Sequence, residues 1–247
     1  MNEIGTGNGP NLEFYSLIFT EIKKRVNYWY ATDDHSLYPL PSTEGEVDFE
    51  KLRIFKILGF AIARALYDDR LIDIPLNSLF WDIVLDRPFY LNKVQKIDKN
   101  LFKAIADFKQ VLIEKEKYLK THNRETITDL GEAVQYNNSR IDELGITFAL
   151  PGYNDILLKP AGSEVLLTIE NLDDYVNRLF DCVIGTGISP YINEFKKGFN
   201  IVFPIKNLRC FQSKELEEIV CGSYSDAWDN ETLWENIVPN HGYDKSR

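Results

Sequence analysis

Three cysteines, three histidines and three Asp-Asp pairs are the residues best able to do chemistry in this chain of 247. A cysteine nucleophile needs a thiolate near neutral pH, which means a cation or helix N-terminus beside it and an open path to solvent. Cys182 stands in an apolar stretch with Val183 and Ile184. Cys221 follows Ile219 and Val220 at an expected helix end. Cys210 has Arg209 next to it, but nothing else around it resembles an active site. All three are read as buried small hydrophobes. His35, His122 and His241 are scattered, and no Cys/His pair has zinc-ligand spacing, so neither a metal site nor a cofactor is expected. Asp33-Asp34, Asp68-Asp69 and Asp173-Asp174 are neighbours in sequence, which turns their side chains apart on a helix. No His or Lys is placed to complete an acid–base set with them. Gly5-Thr6-Gly7-Asn8-Gly9-Pro10 suggests a phosphate loop. Pro10 occupies the position of the third glycine of a dinucleotide fingerprint, however, and no Gly-Lys-Ser/Thr follows, so a turn launching a helix is expected instead.

The elements that would position these residues are legible in the hydrophobic pattern. Phe14, Leu17, Ile18, Ile22, Val26 and Trp29 recur at three- and four-residue steps, one stripe of a helix. Residues 33–45, with Pro39, Pro41 and Gly45, read as loop. A second helix is predicted over 49–70, on Leu52, Phe55, Leu58, Ile62, Ala65 and Leu66. Gly59, Ala61 and Ala63 within it would let another helix approach closely. Pro75 interrupts the chain, and a short helix follows at about 79–85. The next helix is long and carries two stripes, Leu101/Ile105/Phe108/Leu112 and Ala104/Val111/Tyr118, a broader face than one core contact needs. Glu114-Lys115-Glu116-Lys117 reads as its solvated side.

Beyond Asn137-Asn138-Ser139 the period changes to two. Leu144, Ile146 and Phe148 predict a strand, and 156–159 and 164–169 predict two more. Asn171 is expected to cap a helix carrying Leu172, Tyr175, Val176, Leu179 and Val183, ended by Gly185 and Gly187. Another helix runs over 190–199. Ser213 would cap the next, closed by Gly222, and Asp229 a last one through Ile237. The class is α+β, mostly helical, with a small antiparallel sheet.

Bulk properties bound the function. Hydrophobic residues make up 44% and aromatics 13%, enough for a real core. The formal charge of −10 disfavours nucleic acid and anionic membrane as partners. No apolar run approaches a membrane span, and the start has neither the charged nor the apolar region of a signal peptide. An odd, widely spaced set of cysteines suits a reducing compartment, cytoplasmic or nuclear.

Several blocks together carry a family resemblance. The opening stretch from Gly5 through Pro10 to Asn11-Leu12-Glu13-Phe14-Tyr15 resembles the first helix motif of the N-lobe of HECT-type ubiquitin ligases. Leu58-Gly59-Phe60-Ala61-Ile62-Ala63 and Asp69-Arg70-Leu71-Ile72-Asp73-Ile74-Pro75-Leu76 resemble its central helix and turn. Leu144-Gly145-Ile146-Thr147-Phe148 is similar to its central strand, and Glu170-Asn171-Leu172-Asp173-Asp174-Tyr175-Val176 to the helix after it. Phe195-Lys196-Lys197-Gly198-Phe199-Asn200, the block from Glu217 to Ser223, and Pro239-Asn240-His241-Gly242-Tyr243 complete the series in order. Leu150-Pro151-Gly152-Tyr153 and the charged insert before Asp142 look most like the ubiquitin-fusion-degradation type.

The resemblance implies an N-lobe that docks a ubiquitin-loaded E2. A C-lobe cysteine would accept ubiquitin as a thioester and pass it to substrate lysines. Asp181-Cys182, Arg209-Cys210 and Val220-Cys221 do not match the Thr-Cys context of that cysteine. Residues 1–247 are therefore expected to be a partial HECT domain, without the last N-lobe helices, hinge and C-lobe, and to form no ubiquitin thioester alone. Carried over by position, the E2-docking groove would use Leu101, Ala104, Ile105, Asp107 and Val111 on the long helix. It would add Leu144 and Ile146 on the strand and Tyr175 on the following helix. The same positions could instead be core. Implied partners are E2, ubiquitin and a substrate protein bound through regions outside this chain. A natural short scaffold or decoy that holds E2 without passing ubiquitin on is the alternative.

Overall fold

The computed structural model describes residues 9–43, 45–88, 90–122, 130–222, 234, 237 and 238. The opening turn at 5–8, the helix expected from Asp229 and His241 lie wholly or mostly outside them. The fold is α+β and mostly helical: α1 Gly9–Lys23, β1 Trp29–Ala31, β2 Leu37–Pro39, α2 Phe49–Tyr67, α3 Ser78–Val84 and α4 Lys99–Thr121. These are followed by α5 Leu130–Ala133, β3 Ala149–Leu150, β4 Tyr153–Leu157, α6 Leu172–Ile184, α7 Ser189–Phe199 and α8 Ser213–Cys221. Each pair of strands is antiparallel, β1 with β2 and β3 with β4.

The centre is the crossing of α2 and α7. Phe55, Leu58, Ala61, Ile62 and Ala65 face Tyr191, Ile192, Phe195 and Phe199 in one continuous core. The backbones themselves touch at two glycines. A Cβ on Gly59 would stand 2.1 Å from the Phe195 carbonyl oxygen, and one on Gly198 would stand 1.9 Å from that of Lys56. The close approach expected from Gly59 is thus met by a second glycine on the partner helix. α3 lies against the same core, with Phe80 edge-on to Phe195 at a centroid distance of 4.9 Å.

Helix α1 buries a different face from the one expected. Tyr15, Phe19 and Ile22 are buried, whereas Phe14, Leu17 and Val26 are exposed. The reason is an aromatic anchor: Tyr15 stacks near Phe19, and its hydroxyl donates to Asp68 Oδ2 at 2.7 Å, tying this face to the end of α2. The segment read as loop holds β2, paired Trp29↔Pro39, Tyr30↔Tyr38 and Ala31↔Leu37. Strands of three residues are too short to show an alternation.

The predicted strand at 144–148 is mostly not one. Leu144 ends a 3-10 turn, Asp142–Leu144, and Gly145 follows at φ 63°, where only glycine is unstrained. Pairing is confined to the Thr147↔Leu166 bridge and to β3 with β4, and Glu164 belongs to a 3-10 turn rather than a third strand. Asn171 occupies the N-cap position of α6. Its side chain, however, accepts from Thr168 N–H and donates to the Leu166 carbonyl instead of capping. At α8 the cap is a box between Gln212 and Glu215, one residue before the expected Ser213.

One buried charge shapes the pH response. Lys51 on α2 is only 4% exposed; its Nζ donates to the Leu40 carbonyl at 2.6 Å and lies 4.1 Å from the centre of the Tyr191 ring. Burial pulls its amine down to about 8, against a small opposing pull from Asp48. An unfolded lysine titrates near ~10.4. Between the two values the unfolded chain binds more protons, so this group adds stability as pH rises and loses it as pH falls through about 8. Cys182, pushed up to about 12 chiefly by burial, works in the opposite direction above the thiol's ordinary range. The Lys51 contribution is therefore read against Lys51→Met. In urea titrations, the stability of wild type relative to this variant should grow by on the order of 2 kcal/mol from about pH 7.5 to 10. A difference that stays flat with pH would contradict the assignment.

Candidate partner-docking site

The site residues named from sequence lie on α4, α6 and the turn between them. Asp98 fixes the start of α4: its Oδ1 accepts from Leu101 N–H at 2.8 Å, and its Oδ2 takes the Tyr30 hydroxyl at 2.8 Å. From there Leu101, Ile105, Phe108 and Val111 turn into the core; beyond Val111 no residue of the helix is buried. Tyr175 on α6 packs edge-on to Phe108, with centroids 6.0 Å apart, and to Phe148, 5.3 Å apart. Tyr136 lies 5.3 Å from Phe108, and its hydroxyl is 3.4 Å from Asp107 Oδ2. Burial raises the Tyr175 phenol to about 12, so it stays neutral.

The eight positions divide evenly. Leu101, Ile105, Val111 and Tyr175 are buried, and Ile105 and Tyr175 have essentially no exposed surface, at 0% and 1%. They present no surface for a partner to grip and lie in the core beneath the partly exposed positions. Ala104, Asp107, Leu144 and Ile146 are partly exposed. Two backbone links hold the turn in place: Leu167 N–H donates to the Ile146 carbonyl at 2.7 Å, and Phe148 N–H to that of Gly162 at 2.9 Å. Lys115 of α4 adds a side-chain clamp, its Nζ donating to the Ile169 carbonyl at 2.6 Å just before α6. Phe108, Tyr136 and Phe148 complete the aromatic wall and were not among the named site residues. Their signal was present in sequence: Phe108 falls one helical step after Ile105, and Phe148 one strand step after Ile146.

Comparison with known proteins bears on what this arrangement is for. Residues 16–247 match the HECT-domain (ubiquitin-transferase) family. The chain belongs to the HECT family. Among its relatives is the E3 ubiquitin-protein ligase TRIP12 of Danio rerio, 31% identical over 98% of this chain and 13% of the relative. E3 ubiquitin-protein ligase UPL3 of Arabidopsis thaliana is 32% identical over 98% of this chain and 14% of the relative. Ubiquitin fusion degradation protein 4 of Saccharomyces cerevisiae is 27% identical over 98% and 17%. These names place the HECT chain in the ubiquitin-fusion-degradation type, at the N-lobe portion. The chain spans about a seventh of the length of the relatives it matches.

The cysteines of this HECT chain differ in setting. Cys182 is buried with its thiol pushed up. Cys221 is partly buried, also raised by burial, with Sγ against the Ile74 carbonyl. Cys210 is exposed, contrary to the reading of all three as buried; it ends the 3-10 turn Ile205–Cys210, and its Sγ points back to the Asn207 carbonyl. Among the described residues no group of His, Cys, Asp and Glu is arranged to hold a metal ion, and no helix is long and apolar enough to cross a membrane.

Proposed function

We propose that this chain is the E2-docking part of a HECT N-lobe, in a protein that takes ubiquitin from E2 as a cysteine thioester and transfers it to substrate lysines. The proposal treats residues 1–247 as part of one HECT domain that acts in the cytoplasm or nucleus. The observation carrying the docking assignment is the division of the eight positions. Four form a buried, aromatic-walled floor, and Ala104, Asp107, Leu144 and Ile146 keep surface that an apolar E2 loop can cover. A rigid floor beneath a small apolar surface suits an interface whose energy is concentrated in a few contacts.

Leu144 and Ile146 are the test positions because each is partly exposed and lies outside the α-helices. Leu144→Asp and Ile146→Asp should each weaken E2 binding by roughly five- to hundredfold, about 1–3 kcal/mol. Their circular dichroism melts should stay close to wild type. Titration of a labelled E2 into each variant checks this. Unchanged affinity in both folded variants would remove the turn from the interface.

A further inference from the structure

The chain's charge of −10 hides a local reversal. Between α3, the 3-10 turn Leu91–Lys96 and the start of α8 lies an open cleft of about 740 Å³. Arg87, Lys93, Lys96, Arg209 and Lys214 line it, against only Asp82 and Glu217. Some of these cations are consumed by the scaffold. Asp82, 4% exposed, takes the Ser213 hydroxyl and Lys93 Nζ at 3.0 Å, with Arg87 at 3.4 Å and Lys96 at 3.8 Å. Arg87 also donates to Ser213 Oγ at 2.7 Å and to the Phe211 carbonyl, and Lys93 to that of Pro88 at 3.0 Å. Arg87 therefore holds the end of α3 to α8, and Lys93 holds the 3-10 turn to α3.

Three cations remain turned toward the opening. Lys96 makes only the long approach to Asp82 and keeps 41% of its side chain exposed. Arg209 keeps 56% while touching Asp86, which Lys196 also neutralises. Lys214 is exposed on α8. Burial, with the nearby Asp34, holds the Glu217 carboxyl above its usual range.

We propose that this cleft docks a short acidic peptide segment, a run of Asp and Glu side chains, from a partner protein. The cations are spread around an open space rather than converged, and the Arg87 fork is already occupied. That arrangement suits several separated carboxylates better than one concentrated phosphate. A long polyanion such as nucleic acid would meet the net negative charge outside the cleft, whereas a short segment need not. The site is separate from the docking residues of α4 and α6, and it does not depend on the E2 reading.

The test is fluorescence anisotropy of labelled hexaglutamate with the 247-residue chain at low ionic strength. Parallel titrations use hexaglutamine, a neutral hexapeptide carrying one phosphoserine, and a single-stranded oligonucleotide. Hexaglutamate should bind, and the affinity should fall roughly tenfold in the triple variant Lys96→Gln/Arg209→Gln/Lys214→Gln and again in about 0.5 M salt. Asp82, Arg87 and Lys93 are left intact, and melts confirm that the variant folds. Absence of hexaglutamate binding, equal binding by hexaglutamine, or an unchanged triple variant would overturn the proposal. Tighter binding of the phosphoserine peptide or the oligonucleotide would overturn the choice of ligand.

Discussion

Gly198→Ala should cost this protein about 3 kcal/mol or more, and Gly198→Val should leave no cooperative unfolding transition. On an exposed helix surface the same Gly→Ala change stabilises, by up to ~1 kcal/mol, because alanine is the better helix former. Here the added methyl would stand 1.9 Å from the Lys56 carbonyl oxygen. That atom is backbone in the middle of α2, so it cannot swing aside as a side-chain end would. The helices must separate, and Phe55, Leu58, Phe195 and Phe199 on either side of the contact lose packing together. Gly59→Ala meets the Phe195 carbonyl at 2.1 Å and should behave alike. Both substitutions force open the same crossing, so the double variant should cost clearly less than the sum of the singles. Urea midpoints of the four proteins measure this. A Gly198→Ala protein that unfolds at the wild-type midpoint would mean that the backbones are not in contact.

Ile105→Asp should unfold the chain at neutral pH, not merely weaken a partner. Ile105 is 0% exposed, one helical turn from Leu101 and Phe108. An ionised carboxylate buried there loses its hydration, a cost of several kcal/mol. Ile105→Ala, by contrast, should leave a folded protein weaker by about 2–5 kcal/mol. The aspartate variant should recover partly in acid. Burial raises the folded-state pKa of the new carboxyl above its unfolded value, so its penalty is largest above the folded value and shrinks as pH falls. Circular dichroism at pH 7 and near pH 4.5 checks both the loss and the direction of recovery. A fully folded variant at pH 7 would place Ile105 at a surface after all. Set beside Leu144→Asp, the pair separates floor from face.

Helices were legible in sequence where the apolar stripe had one interpretation. The spans of α2, α4, α6 and α7 follow their 3.6-residue pattern to within a few residues. α1 misled because two apolar stripes compete on it. Phe14 and Leu17 are as hydrophobic as Tyr15 and Phe19, and the choice is made by Asp68, 53 residues away from Tyr15. The stretch at 144–148 alternates like a strand, but Gly145 in the left-handed region breaks the ladder that alternation promised. For the candidate docking site, sequence position could not give burial. Ile105 and Ala104 are adjacent in sequence, yet the first is fully buried and the second partly exposed. The cleft at α8 was invisible because its cations come from two stretches more than a hundred residues apart, 87–96 and 209–214, in a chain whose summed charge is negative.

The handover in the middle of α4 bears on how this family varies in length. From Leu112 to Thr121 the helix runs on with no buried residue. Leu112 and Tyr118 still pack against the core, but Leu119, Lys120 and Thr121 are exposed, so this last stretch can be extended without opening a void. The alignment with the Danio rerio relative runs to 268 residues, against 247 in this chain. Added loop length costs little in closure entropy when its ends are already held. Asp98 holds one end of this helix, and Lys115 clamps it to the approach of α6. The distal end of α4 is thus a place where the chain can lengthen while the buried residues from Leu101 to Val111, and Tyr175 against Phe108, stay as they are.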